Sequence, residues 1–406
     1  MTHHRAAEQA ARNSYGRLVA YLAARSRDVA AAEDALGDAF VAALQTWPRV
    51  GIPDKPDAWL LAAARRRLID AARHARVKAE ASDVVRIVLE QAEQQESSDV
   101  IFPDERLKLL FVCAHPSIDE AVRTPLMLQT VLGLDAARIA SAFLVAPATM
   151  GQRLVRAKVK IRNAGIQFEI PEHRELPARL EAVLDAIYAA YGSSWDDVAG
   201  ADPRRKELAD EAISLGRLVR ELLPEPEAAG LLALMLHCEA RRGARRDADG
   251  GYVPLTRQDV ERWSRPMIDE AERILAGASE AGRPGRFQLE AEIQSVHAQR
   301  AVTGRTDWEA IALLYEGLIR LAPTIGARVG QAAALAEARG ANAGLATLDD
   351  LPSGALETYQ PYWALRAHLL SRLGRADQAR DAYARAIGLS EDAAVRDFLV
   401  GRSSAL

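Results

Sequence analysis

Two amphipathic patterns stand back to back between positions 135 and 162, and no stretch of the chain constrains its fold more. Met150, Leu154, Ala157 and Ile161 recur at i, i+4, i+7 and i+11, the spacing that gives an α-helix one buried side. Before them Ile139, Ala140, Phe143 and Val145 form an apolar stripe on a shorter helix, and a turn joins the two. Pro147 suits the first helical position, and Thr149 lies where short polar side chains are common. The opposite side of the second helix carries Thr149, Gln152, Arg153, Arg156 and Lys160. A helix pinned by its apolar stripe would turn these hydroxyl, amide and cationic groups outward, and such groups read base edges and clamp phosphates in a major groove. These five are the candidate DNA-contacting residues of a helix-turn-helix.

The same architecture extends along the chain. Hydrophobic residues make up 49% but aromatics only 5%, so the cores must rest on Ala, Leu and Val. Ala and Leu lose little side-chain entropy in a helix, and the expected fold class is all-α. At about 100–200 residues per domain, 406 residues make two to four domains. Disorder of the whole chain is excluded by its apolar content and net charge of -4. No run of about 18 apolar residues occurs, and the polar residues 1–9 do not form a signal peptide. Two cysteines, Cys113 and Cys238, exclude a disulfide framework. A cytoplasmic protein with no membrane partner is expected.

Charge is distributed unevenly. Residues 1–165 hold 23 Lys and Arg against 19 Asp and Glu, a net of +4, and residues 166–406 hold 29 against 37, a net of -8. Within the first part, residues 60–78 carry six basic residues and one acid, residues 79–103 one basic residue and six acids, and residues 149–165 five basic residues and no acid. Two cationic helices separated by an acidic connector suit a chain that meets a polyanion at two places.

Periodicity and breakers predict helices over 13–27, 29–46 and 56–75, with residues 47–53 as a loop. A further helix is predicted near 84–95 and four more within 104–165, broken at His115-Pro116, Gly133 and 145–147. From Phe168 onward long Ala/Leu helices follow, broken at Gly or Pro about every 15–20 residues. Residues 363–390 read as helix, Gly374 turn and helix, with Ala379, Tyr383 and Ala386 on one stripe. Residues 308–323 read as half of another such unit. Small–large–small spacing lets paired helices stack closely, as in tetratricopeptide-like repeats. Helical hairpins without repeat character are the alternative.

On the residues 33–40 (EDALGDAF) and 59–70 (WLLAAARRRLID), the chain resembles region two of bacterial sigma factors. The helix over 149–162 with its preceding turn resembles region four. The whole resembles the extracytoplasmic-function-type sigma factors, in the subgroup with a long helical-repeat C-terminal extension. Two positions depart from the pattern: Leu144 stands where most helix-turn-helix units have Gly, and Ala114 breaks a Cys pair often found near Cys113. The resemblance implies region two over 10–77, an acidic linker over 78–103, region four over 104–166, a helical extension over 168–290 and tetratricopeptide-like repeats over 291–400. It implies core RNA polymerase and promoter DNA as partners, with a protein partner on the C-terminal repeats as a further expectation.

The resemblance also assigns residues. Leu36, Phe40 and Leu44 are expected to pack their helix inward. Asp34 and Asp38 on another face form a like-charge i, i+4 pair that weakens an isolated helix by roughly 0.2–0.5 kcal/mol, and the implied basic partner is the polymerase clamp. Thr149, Gln152, Arg153, Arg156 and Lys160 would meet the −35 element. Trp59, Arg65, Arg66, Arg73 and Arg76 would meet the −10 element as a melted strand, where stacking and backbone contacts repay the cost of opening the duplex. Packing in a core or loop is the other reading for Trp47 and Trp59. The extension would either dock a partner and support activity, the favoured reading, or cover the cationic helices and inhibit.

Other sites carry less. Cys113 and His115 have no second ligand pair at zinc spacing, and His237-Cys238 sits in an apolar helix that reads as core. Residues 247–258 begin like a calcium loop but place Tyr252 and Gln258 where Gly and a bidentate Glu are required. No phosphate loop or nucleophile elbow occurs. No cofactor, no metal and no catalysis are expected. The alternative function is a helix-turn-helix regulator fused to a protein-interaction repeat scaffold.

Overall fold

The computed structural model describes residues 3–78, 104–143, 145–195, 203–352 and 356–406. Among these are nineteen α-helices and no strand beyond one bridged pair, Arg246 and Tyr252, so the fold is all-α as expected. The helix expected over 84–95 lies outside the described residues. The chain divides into two compact units, Met1–Ala190 and Tyr191–Leu406.

The first unit opens with α1 (His3–Ser26), α2 (Val29–Val50) and α3 (Pro56–Lys78), which pack on one another. Asp28 caps α2 by accepting from the Ala31 amide at 3.1 Å. The expected stripe of Leu36, Phe40 and Leu44 is corrected: Leu36 is buried, Phe40 is half-buried and Leu44 is exposed. Steps of four residues drift about 40° each around a 3.6-residue helix, so the third member has left the core side. The buried stripe is Val29, Ala32, Leu36, Ala39, Ala43 and Trp47.

The expected loop over 47–53 is corrected as well. Helix α2 continues through Pro48 to Val50, because Trp47 is buried edge-on against Trp59, with ring centroids 5.6 Å apart. Pro48 forfeits only one hydrogen bond in this last turn. Gly51, at φ 95°, ends the helix by donating its amide to the Trp47 carbonyl at 3.0 Å.

Four short helices follow, as expected: α4 (Arg106–Cys113), α5 (Glu120–Thr130), α6 (Ala136–Ala142) and α7 (Pro147–Asn163). Six of the eight residues of α4 are buried apolar groups, which places this helix at the centre of the unit. The next helix, α8 (Leu176–Trp195), is tied to the same unit. The Thr124 hydroxyl donates to the Ala186 carbonyl at 2.9 Å and the Arg179 guanidinium to the Phe111 carbonyl at 2.6 Å. The first unit therefore runs to Ala190, beyond the boundary expected near 166–168.

The second unit contains α9 (Pro203–Leu222), α10 (Pro226–Ala240), α11 (Arg265–Ser279) and α12 (Arg286–Ala298). Helix α10 is buried continuously from Ala228 to His237, and α9, α11 and α12 pack on it. Glu227 holds α12 in place, accepting from the Phe287 and Gln288 amides at 3.0 and 3.1 Å. A short helix α13 (Arg300–Thr303) leads to α14 (Trp308–Leu321), α15 (Ile325–Arg339), α16 (Ala341–Asp349), α17 (Gln360–Arg372), α18 (Ala376–Gly388) and α19 (Ala393–Ser404). From α14 to α19 each helix packs on the next. Ala379, Tyr383 and Ala386 form the buried stripe of α18, and Gly374 at φ 70° makes the preceding turn. The 247–252 segment is a tight hairpin, in which the Asp247 amide donates to the Gly251 carbonyl at 3.0 Å.

A buried histidine, His237, and a half-buried one, His297, give this unit a pH dependence. Burial, with the Arg241 guanidinium beside it, pushes the His237 imidazole down to about 3. Burial together with Arg241 and Arg300 does the same to His297. The Glu272 carboxylate, 3.6 Å from His237 Nε2, is a partly exposed partner and does not offset this. Both rings are neutral in the native unit, while the unfolded chain takes up protons below about pH 6.5. Their stabilisation is therefore complete above that pH and is lost as pH falls towards about 3. Urea melts of the second unit at about pH 7 and pH 4.5 should differ by a few kcal/mol. The difference should shrink in His297→Phe, and equal stability at both pH values would refute the assignment.

Candidate nucleic-acid interface

Helix α7 begins at Pro147 with Ala146 as its N-cap, and no side chain caps it. Its cap interaction is thus not supplied by Thr149, which is exposed inside the first turn. Met150, Leu154, Ala157 and Ile161 are buried as the periodicity requires. Thr149, Gln152, Arg153, Arg156 and Lys160 are all exposed. Helix α6 packs against α7 across the turn, where the Val145 amide donates to the Ala140 carbonyl at 2.9 Å. Leu144, the departure at this turn, lies outside the described residues. Arg153, Arg156 and Lys160 line one wall of an open groove of 440 Å³, whose other wall is the start of α5 with Asp119 as its N-cap. The three cations favour an anionic ligand along the α7 face, whereas the α5 N-terminus is already occupied by the Asp119 carboxylate, which accepts from the Ala121 amide at 3.0 Å.

The remaining two cations of α7 are turned towards α2. Lys158 is buried and pairs with Glu33, the two side chains being 10% and 12% exposed. Arg162 meets Asp28 at 3.3 Å near the rim of the same contact. The Tyr15 phenol bonds to Glu33, and burial, Glu33 and Asp34 together raise that phenol far above its ordinary value. Burial also raises the Glu33 carboxyl, against the pull of Lys158. Neither Lys158 nor Glu33 stood among the expected site residues, yet a signal existed. Position 158 falls four residues after Leu154 and three before Ile161, and position 33 four after Val29 and three before Leu36. Both are charges set on an inward stripe.

On α2, Asp34 and Asp38 are exposed on the side away from the buried stripe. Asp38 lies 3.9 Å from Arg67 of α3, an exposed pair of the kind that contributes little. Of the residues expected at a −10 element, three have described side chains, and their surroundings differ. Arg66 is exposed, and Trp59 is half-buried against Trp47. Arg65 lies against the buried Tyr21, 4.9 Å from its ring centroid and bonded to its hydroxyl, while Arg25 covers the same ring at 3.5 Å. That aromatic clamp gives Arg65 a packing role inside the helical hairpin. The side chains of Arg73 and Arg76 lie outside the described residues. Among the described residues no group of His, Cys, Asp and Glu could hold a metal ion, and no helix is long and apolar enough to cross a membrane.

The chain is similar to known families in two stretches and to one relative over most of its length. Residues 11–77 match the sigma-70 region 2 family, which spans α1 to α3. Residues 179–279 match a family of unknown function, DUF6596. The uncharacterized protein R00370 of Rhizobium meliloti (strain 1021) is 39% identical over 374 residues, covering 90% of this chain and 88% of that protein. No solved structure matches.

Proposed function

We propose, for a chain that belongs to one family with the rhizobial protein R00370 and carries a sigma-70 region 2 domain at its N-terminus, that it is an extracytoplasmic-function-type sigma factor. The region 2 match supports a sigma factor for transcription initiation that binds core RNA polymerase. In the finer reading, α6 and α7 are a helix-turn-helix that meets the −35 element through Thr149, Gln152, Arg153, Arg156 and Lys160. Residues 56–78 meet the −10 element. The single observation that carries it is the exposed cationic face of α7, set opposite its buried stripe in the same unit as region 2. A conventional duplex-binding regulator reads two like half-sites as a dimer. Two unlike basic helices on one chain instead suit two unlike promoter elements. Bond-making then belongs to the polymerase, and this chain supplies positioning.

The stacked helices of the second unit are read as a tetratricopeptide-like docking surface that supports activity. Its acidic balance speaks less strongly for inhibition, because attraction between exposed surfaces fades over about 8 Å at physiological salt.

Run-off transcription with purified core polymerase and a genomic promoter library tests the whole reading. Asp34→Lys combined with Asp38→Lys is expected to abolish co-elution with core polymerase and to leave the helical circular dichroism unchanged. Both side chains are exposed and outside the packing stripe. Retained co-elution would remove these two residues from the polymerase surface.

A further inference from the structure

Between α10 and α11 of the second unit, residues 241–264 form an irregular connection interrupted only by three short 3-10 turns. Connections longer than about 12–15 residues are uncommon in compact domains, and many of those that occur carry function. This one is tied down through its carbonyls. Arg300 of α13 donates to the Leu255, Thr256 and Gln258 carbonyls at 3.0, 2.8 and 2.7 Å, and Arg262 donates to the Arg246 carbonyl at 2.7 Å. Trp263, near the end of the connection, and Arg241, at its start, are each 6% exposed. The Arg300 guanidinium lies 5.0 Å from the centre of the Trp263 ring and the Arg241 guanidinium 6.0 Å from it. Two cations thus share one buried indole.

Neither cation has a counter-charge. Glu239, the acid nearest to Arg241 in sequence, pairs instead with Arg242 at 2.7 Å, and among the described residues neither Arg241 nor Arg300 forms an ion pair. Arg241 donates from Nη2 to the Gln294 carboxamide oxygen, while its buried Nη1 has no partner. The Trp263 Nε1 is likewise buried without an acceptor, and on the preceding turn neither ring nitrogen of the buried His237 is hydrogen-bonded. Buried polar groups are nearly always satisfied, and a buried charge without a partner is the costliest exception. A water would satisfy an N–H but brings no charge to set against two guanidiniums. The group that answers both needs accepts hydrogen bonds and is negative, and the planar fork of an Arg matches a carboxylate or a phosphate. Gln258 Oε1, a further buried atom without a partner, is an acceptor and leaves a place for a hydroxyl of the same ligand or for a water.

We propose that the 241–264 connection is a binding site for a small oxyanion, a carboxylate or a phosphate, which accepts from Arg241 Nη1 and Trp263 Nε1 and is balanced by the second charge on Arg300. A ligand that binds only the folded unit stabilises it by mass action, so the second unit becomes a receptor whose stability reports the anion. This does not rest on the sigma-factor reading above.

The probes are acetate and inorganic phosphate, titrated into the full-length chain at about pH 7.5 with chloride holding the ionic strength constant. Calorimetry should show saturable binding of at least one. At about a hundred times its Kd that anion should raise the melting temperature of the second unit by about 5–10 °C. A response to acetate alone identifies a carboxylate site, to phosphate alone a phosphate site, and to both an unselective oxyanion site. Arg241→Gln keeps an amide donor for Gln294 and removes the charge. It should bind at least about thirtyfold more weakly, yet melt no lower than the native chain in chloride, because an unpaired buried charge is gone. Trp263→Phe keeps an aromatic ring, removes the N–H and should weaken binding about tenfold. Absence of saturable binding by either anion refutes the site and leaves the orphan groups to water. An equal rise in the native and Arg241→Gln chains refutes it as a general salt effect. A lower melting temperature of Arg241→Gln in chloride refutes it as well, by making the guanidinium structural. Unchanged binding in Trp263→Phe refutes the indole contact.

Discussion

Gly16→Ala is expected to lower the melting temperature of the first unit by roughly 5–10 °C, although it is a change from the poorest common helix former to the best. In most helices that substitution stabilises by about 1 kcal/mol. Here the new Cβ would overlap the carbonyl oxygen of Val131 and stand 2.6 Å from the carbonyl carbon. Both sides of the clash are backbone, so no rotamer change relieves it, and α1 and α5 must separate. Overpacking of this kind typically costs about 1–3 kcal/mol and sometimes more, at about 2–4 °C per kcal/mol for a unit of this size. Gly37→Ala in α2 is the matched control, since a Cβ at that position would have nothing within 4 Å. It should leave the melt unchanged or raise it. An unaltered melting temperature in Gly16→Ala would mean that α1 and α5 do not approach as closely as described.

The combination Arg153→Ala, Arg156→Ala and Lys160→Ala should reduce promoter-DNA affinity by at least about a hundredfold with no change in thermal stability. All three side chains are exposed and project from α7 away from its buried stripe. Each guanidinium that meets a base edge is worth about 1–3 kcal/mol of discrimination, and removing a cation that neutralises one phosphate lowers the salt slope by about 1. Binding isotherms at two salt concentrations separate these contributions. A base-reading Arg would relax preference at one position of the element, whereas a phosphate-clamping residue would weaken all sequences alike when removed. Unchanged affinity in the triple variant would remove α7 from the DNA interface, whatever the fate of the polymerase surface.

Helix content, the three breaks within 104–165 and the two faces of α7 were legible in the sequence. A helix records its buried side within a dozen residues, and Met150, Leu154, Ala157 and Ile161 do so without reference to any partner. The same local rule marked the Ala379–Tyr383–Ala386 stripe of α18. Local rules failed where a distant group decided the outcome. Trp59 closes over Trp47 and keeps α2 helical through Pro48. The drift of the helical period exposes Leu44 and leaves Trp47 buried.

Among the five cations of α7, periodicity sets Lys158 on the inward stripe and Lys160 off it, two residues away. Only the folded arrangement decides that the inward one meets Glu33, 125 residues away. Which residues become helical and which side of each helix is apolar depend on neighbours within a few turns, and the amino-acid order alone settles both. Which charges are paired, where the first unit ends and which glycine cannot accept a methyl group were decided by packing between segments, because these depend on groups that only the folded chain brings together.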